Sequence, residues 1–136
     1  KVFSLAGAKL VYVPPKEHDK MMGLIQAMNH FFLMLFGNIL AESRLDVKRI
    51  VELSTPSFEG LLQVFRRLAW QDETLYARIQ LDNPFSRRFR KLFLRECKKL
   101  VKALDCSDDP NRVFKENFNR AKAIAKELDR LLPRKD

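Results

Sequence analysis

Few side chains in this 136-residue sequence have a type and spacing that could do chemistry. The two histidines, His18 and His30, lie twelve residues apart in KEHDKMMGLIQAMNHFFLMLFGNILA, residues 16–41. On a regular helix twelve residues make about 3.3 turns, so the two rings are expected about 120° apart. An imidazole titrates near neutrality and can move a proton or grip a substrate. His30, in the apolar part of the run, reads equally well as a core histidine. Arg67 stands in VFRRLAWQD beside Phe65, Leu68 and Trp70. An arginine on a largely apolar segment needs an anionic partner, and its planar fork fits a carboxylate. That carboxylate belongs either to a ligand or to Glu59 or Asp72 of the same chain. No nucleophile–base pair, glycine-rich phosphate loop or metal-spaced His/Cys set is present, so the motifs place no catalytic group, cofactor loop or metal ligand here.

The elements that must hold these groups are helical. The stretch from Met21 to Ala41 has no charged residue, while Glu17 and Asp19 precede it and Pro14 and Pro15 open it. Proline suits a first turn, and acids suit the positive end of a helix dipole. The pattern predicts one long central helix, apolar almost all round and therefore buried, ending near Ser43, with Asn29 or Gly37 as the place for a kink. It meets the length rule for a membrane span. Gln26, Asn29, His30 and Asn38 are nevertheless spread along it, each costly in hydrocarbon, and the rest of the chain is amphipathic and charged, so no membrane contact is expected. Asp46 can cap a short helix over 47–53, and Ser54-Thr55-Pro56 breaks it. Ser57 can cap the next, with Phe58, Leu61, Leu62, Phe65 and Leu68 at helical spacing. Asp72 starts another with Leu75, Tyr76 and Ile79, and Asn83-Pro84 ends it. A basic helix follows, then the CSDDP turn at 106–110 and a last helix carrying Phe114, Phe118, Ala121, Ile124, Ala125, Leu128 and Leu131. The fold class is all-α, about six helices. Before them AKLVYV, residues 8–13, is the one convincing strand. One strand makes no sheet: it pairs with another chain or belongs to a domain absent here. With Lys1 in place of an initiator Met, it points to a fragment of a larger α/β protein.

Composition narrows the class. The chain is 46% hydrophobic with 11 Phe, enough for a core, and only 4 Gly, which argues against a sandwich or barrel. Cys97 and Cys106 have neither metal spacing nor a partner framework, and with no secretory signal they read as reduced thiols of a cytoplasmic protein. The net charge is +9, and Arg87 to Lys102 holds eight basic residues against one acid, Glu96. This helix is an anion patch or a solvated face. No aromatic residue interrupts the basic side, since Phe85, Phe89, Leu92, Phe93, Cys97, Leu100 and Leu104 form a separate stripe, so nucleic acid is not the expected partner.

Two runs resemble a known family. GAKLVYVPPKEHDKMMGLIQAMNHF resembles the junction between the nucleotide-binding and helical domains of prephenate dehydrogenases, where a last strand meets a Glu-His-Asp motif and a second histidine follows twelve residues on, here Glu17-His18-Asp19 and His30. LSTPSFEGLLQVFRRLAWQDETLYARIQLDN is similar to that family's Ser/Pro, Phe, Arg-Leu, Gln-Asp-x-x-Leu-Tyr and Asn series. The likeness is clear over residues 7–83 and by pattern only beyond. It implies that residues 1–14 are the tail of an absent dinucleotide-binding domain and 15–136 an all-helical dimerisation and substrate-side domain. It implies oxidative decarboxylation of prephenate to 4-hydroxyphenylpyruvate with NAD or NADP, in tyrosine biosynthesis, by a cytoplasmic homodimer. The cofactor loop and the general base would lie in the absent domain, so the isolated chain should be inactive. Residue by residue, the resemblance implies that Arg67 binds a substrate carboxylate and that His18 lines the substrate pocket. His30 would have a structural or pocket-lining duty, and Tyr76 would approach the partner subunit's site. Arg67 and His18 should then open toward one pocket at the N-terminal end of the long helix. The sequence departs from the family pattern at Pro14, where Ser or Thr is frequent, and at Glu59, where some members carry a second arginine. Two other classes compete: a chorismate-mutase-like helical dimer, which leaves the strand unused, and a basic helical interaction module.

Overall fold

The computed structural model describes residues 10–132. Helix α1, Pro15–Met22, passes without a break into a π-helical turn, Gly23–Met28, and then into α2, Asn29–Glu42. There follow α3, Val47–Glu52; α4, Pro56–Ala69; α5, Glu73–Asp82; α6, Ser86–Asp105; and α7, Pro110–Leu131. Counting Pro15–Glu42 as one rod gives six helical rods among the described residues, as the sequence predicts. The chain divides into two compact units, residues 1–91 and 92–136, and the division falls inside α6, where no linker marks it.

Local chemistry explains most boundaries. Asp46 accepts from Lys48 N at 3.0 Å and Asp72 from Leu75 N at 2.9 Å, so both expected caps form. At α4 the cap is Thr55, accepting from Phe58 N at 3.4 Å, rather than Ser57. Pro56 is the reason: it takes the first helical position, where its missing N–H costs nothing, and so moves the start two residues upstream. Asp109 caps α7 through Arg112 N at 2.9 Å.

Two expectations need correction. Residues 10–14 form no strand; residues 8 and 9 lie outside the described residues. An extended segment becomes a strand only with a neighbour to accept its backbone hydrogen bonds, and residues 10–132 offer none. The long helix is also far from wholly buried. Gly23, Ala27 and Leu33 are buried, whereas Phe32 is 40% exposed, Met34 49% and Ile39 58%. Pro15–Glu42 is long and apolar enough to cross a membrane by length and composition. Its buried positions are nonetheless spent on other helices of the same unit.

Those contacts depend on close approach. A Cβ built on Gly23 would lie 2.9 Å from Phe85 Cβ and 3.0 Å from Phe89 Cε2; one on Gly37 would lie 2.6 Å from Phe65 Cζ. Phe36 continues the second contact edge-on, its ring centroid 5.7 Å from Phe58 and 5.8 Å from Phe65. Gly60, in the middle of α4, has nothing within 4 Å of a built Cβ. The two glycines therefore behave oppositely. Gly37→Ala should destabilise by about 1–3 kcal/mol through overpacking. Gly60→Ala should stabilise by about 0.5–1 kcal/mol through helix propensity. Urea unfolding of the two variants checks both signs, and equal shifts would refute the packing account.

Candidate functional site

The best-formed side-chain cluster lies where the long rod crosses α5 and the start of α6. His30, in the first turn of α2, meets Tyr76 of α5 with ring centroids 4.3 Å apart and planes tilted by 51°. Both side chains are half-buried. His30 Nδ1 is itself buried and has no hydrogen-bond partner. Loss of water around the ring pushes the His30 pKa below its ordinary value, so the neutral imidazole is favoured. A neutral imidazole keeps one N–H donor and one acceptor nitrogen; with Nδ1 buried, Nε2 is the ring nitrogen a ligand could meet.

The backbone beside it is held by polar side chains. Gln80 of α5 donates through Nε2 to the Ala27 carbonyl, next to the end of the π turn. Arg90 of α6 donates through Nη1 to the Gln80 carbonyl at 2.8 Å and to Gln80 Oε1 at 3.1 Å. Asn83 Nδ2 donates to the Asp19 carbonyl at 2.8 Å, while Asn83 Oδ1 accepts from Phe85 N at 2.8 Å. Ser86, 1% exposed, donates to the Ile79 carbonyl at 3.3 Å. The sequence reading missed Gln80 and Arg90 and left Asn83 without a task. Asn83 had two signals, Asn83-Pro84 as a helix boundary and its place as the Asn that ends the family series.

The other expected residues are placed as follows. His18 is exposed on α1, with Nδ1 3.4 Å from Asp19 Oδ1. Arg67 is exposed in the last turn of α4. Among the described residues it makes no ion pair or hydrogen bond with Glu59 or Asp72, whose carboxylate is occupied as the α5 cap. Cavities open among the described residues of this unit. One, of about 810 Å³, is walled mostly by Phe36, Ile39, Leu40, Ile50, Leu53 and Phe58. Another, of about 500 Å³, is lined by Pro14, Lys16, Glu17, Lys20, Phe85 and Arg88. Neither is lined by His18, His30, Arg67 or Tyr76. No group of three or more His, Cys, Asp or Glu side chains among the described residues could hold a metal ion.

The basic helix turns out to be divided. Arg90 is committed to Gln80, and Arg95 and Lys99 pair with Glu96 at 3.1 and 3.3 Å. The hydrogen bonds from Arg95 and then Lys99 hold the Glu96 carboxyl below the usual carboxylate range.

Residues 14–128 match the family model described as prephenate dehydrogenase, dimerization domain. This chain belongs to that family. It is 31% identical over 102 residues to a probable arogenate/prephenate dehydrogenase of Methanocaldococcus jannaschii, covering 75% of this chain and 23% of that protein. It is 31% identical over 114 residues to the T-protein of Enterobacter agglomerans, 84% of this chain and 30% of the relative. The 4-amino-4-deoxyprephenate dehydrogenase of Streptomyces pristinaespiralis is 27% identical over 132 residues, 94% of this chain and 44% of the relative. The chain thus spans less than half the length of each of these relatives. No solved structure matches it. The family match begins at Pro14, one residue before α1, and runs into the last helix, so it takes in His18, His30, Arg67 and Tyr76 together.

The depressed His30 pKa gives this domain a pH signature. The unfolded chain binds a proton near the ordinary value of 6.5, and the folded chain does so only at lower pH. Between the two values the unfolded state holds more protons, so stability rises with pH across that window. The contribution is complete above the unfolded value and is lost as pH falls through the folded one. Urea unfolding between about pH 7.5 and 5 should show this slope. His30→Phe, which keeps the Tyr76 contact apolar, should flatten it. An unchanged slope in His30→Phe would mean that His30 is not its source.

Proposed function

We propose that this chain is the substrate-side and dimer-forming helical part of an NAD(P)-dependent prephenate dehydrogenase of tyrosine biosynthesis. In this reading it works in the cytoplasm as a homodimer and is joined in its full-length protein to a dinucleotide-binding domain. The observation that carries the reading is the continuous family match over residues 14–128, supported by names that include arogenate, prephenate and 4-amino-4-deoxyprephenate dehydrogenase among the relatives. These substrate names share a prephenate skeleton.

The described residues do not suit a nicotinamide dinucleotide. A pyrophosphate cradle of the usual kind needs a strand leading into a glycine-rich turn and a helix N-terminus, and residues 10–132 are helices and their connections. No step of the oxidation is therefore assigned to this chain. Its part is to grip and orient. Arg67, exposed and uncommitted, supplies a bidentate fork for a substrate carboxylate; His18 and His30 face a substrate pocket that the dinucleotide-binding domain completes; Tyr76 backs His30 and reaches toward the partner subunit's site. Water leaving around His30 keeps that imidazole neutral, ready to hydrogen-bond rather than to pair as an ion.

Kinetics of the full-length protein test the reading. Arg67→Ala removes a charge-assisted pair of about 1.5–3 kcal/mol. The expected loss is about 10- to 150-fold, mostly in KM if the grip is equal in ground and transition states. Arg67→Lys should recover little, since a point charge cannot reproduce the fork. Arg66, about 100° around the helix, should tolerate alanine. Unchanged kinetics in Arg67→Ala, or a larger effect at Arg66, would overturn the assignment.

A further inference from the structure

The π turn at Gly23–Met28 lies between the two histidines, and its geometry changes how they face. A π turn closes i→i+5 hydrogen bonds and so takes up one residue more than an α turn. Twelve residues that include one such extra residue advance like eleven α-helical steps, about 1,100°, which is about 20° past three full turns. On an unbroken α-helix the same twelve residues leave the rings about 120° apart. The extra residue therefore swings His18 and His30 from different faces of the rod to nearly one face.

Such a turn needs support. Ala27 is next to the last residue of the π turn, and its carbonyl accepts from the Gln80 carboxamide. That carboxamide is itself fixed, because its oxygen and the Gln80 main-chain carbonyl both accept from one guanidinium nitrogen of Arg90. Gly23, the first residue of the turn, can lie against Phe85 and Phe89 only because it has no Cβ. The turn is thus tied at its start by close packing and at its end by a two-residue polar relay.

We propose that Gln80 and Arg90 are positioning residues: by holding the π turn they set the register that brings His30 onto the same side of the rod as His18 and against Tyr76. Resting as it does on the substrate-side reading, the inference gives those two residues a part in substrate binding although neither needs to touch substrate. It also removes Arg90 from the basic patch, since its charge serves an internal amide and not an external anion.

The decisive experiment is side-chain NMR of the substrate-free chain, which reads His30 whatever the substrate proves to be. The His30 ring protons should carry a ring-current shift and cross-peaks from Tyr76. Gln80→Met keeps the volume and removes the donor, and it should abolish both while far-ultraviolet circular dichroism stays helical. Should that variant fail to fold, Arg90→Met, which leaves the Gln80 amide in place but unanchored, should weaken the same signals. A second background separates positioning from general support. Deleting Ile25, which is 55% exposed, turns the segment into plain α-helix with His18 and His30 eleven residues apart, still about 20° in phase. There Gln80→Met should leave the Tyr76 signals intact. In the full-length protein Gln80→Met should cost about 2- to 10-fold in kcat/KM, the range of one lost hydrogen bond, and less than about 2-fold when Ile25 is also deleted. His30 signals unmoved by Gln80→Met, or a loss equally large in both backgrounds, would overturn the inference. Alanine at His18 and His30 without effect on KM would instead refute the substrate-side reading, and the NMR result would stand apart from it.

Discussion

The first unit depends on how closely one rod can approach its neighbours. Pro15–Glu42 meets α6 at Gly23 and α4 at Gly37, and at both points an aromatic ring occupies the space a Cβ would need. Close approach brings main-chain carbonyls within reach of side-chain amides, and two of them, at Asp19 and Ala27, are taken by Asn83 and Gln80. Packing and hydrogen bonding thus reinforce each other: the glycines admit the rings, and the amides fix rotation and translation of the rod. The Tyr76–His30 contact forms on this frame.

The same economy leaves much apolar surface uncovered. With three buried positions on the rod, Phe32, Met34 and Ile39 stay about half exposed, and a mostly apolar cavity opens between the end of α2, α3 and the start of α4. The second unit shows the same feature by itself: along α7, Phe114, Phe118, Ile124 and Leu128 are all about half exposed or more. At about 25 cal/mol per Å² of apolar area, surfaces of this kind are costly to leave wet. We propose that a second copy covers them, because a two-fold partner presents the same faces. A helical family named for dimerization is where such faces belong.

How much could be read from the sequence follows the range of the forces involved. Caps at Asp46 and Asp72 were legible because a cap is settled within four residues; Thr55 was misread as Ser57 because Pro56 was weighed as a breaker and not as a first-turn residue. The six rods were legible because apolar spacing at three and four is strong in α4 and α7. The π turn was not, since GLIQAM has no local mark of it; it exists through Gly23 packing on Phe85 and Phe89 and through Gln80, more than fifty residues away in sequence. Gln80 and Arg90 were missed for the same reason, their partners being backbone carbonyls and each other. Full burial of the rod was expected because an apolar run looks alike whether its cover is the same chain or a second one. Of the site, His18, His30 and Arg67 stand out by residue type and setting and Tyr76 through family spacing; the structure brings His30 to Tyr76 and leaves Arg67 and His18 open.

If a second copy closes the apolar faces this fold leaves uncovered, the chain associates in solution. Sedimentation equilibrium of the chain at micromolar concentration tests it most directly. A species of twice the 16.0 kDa chain mass is the expected result, and a monomer at that concentration would contradict the account.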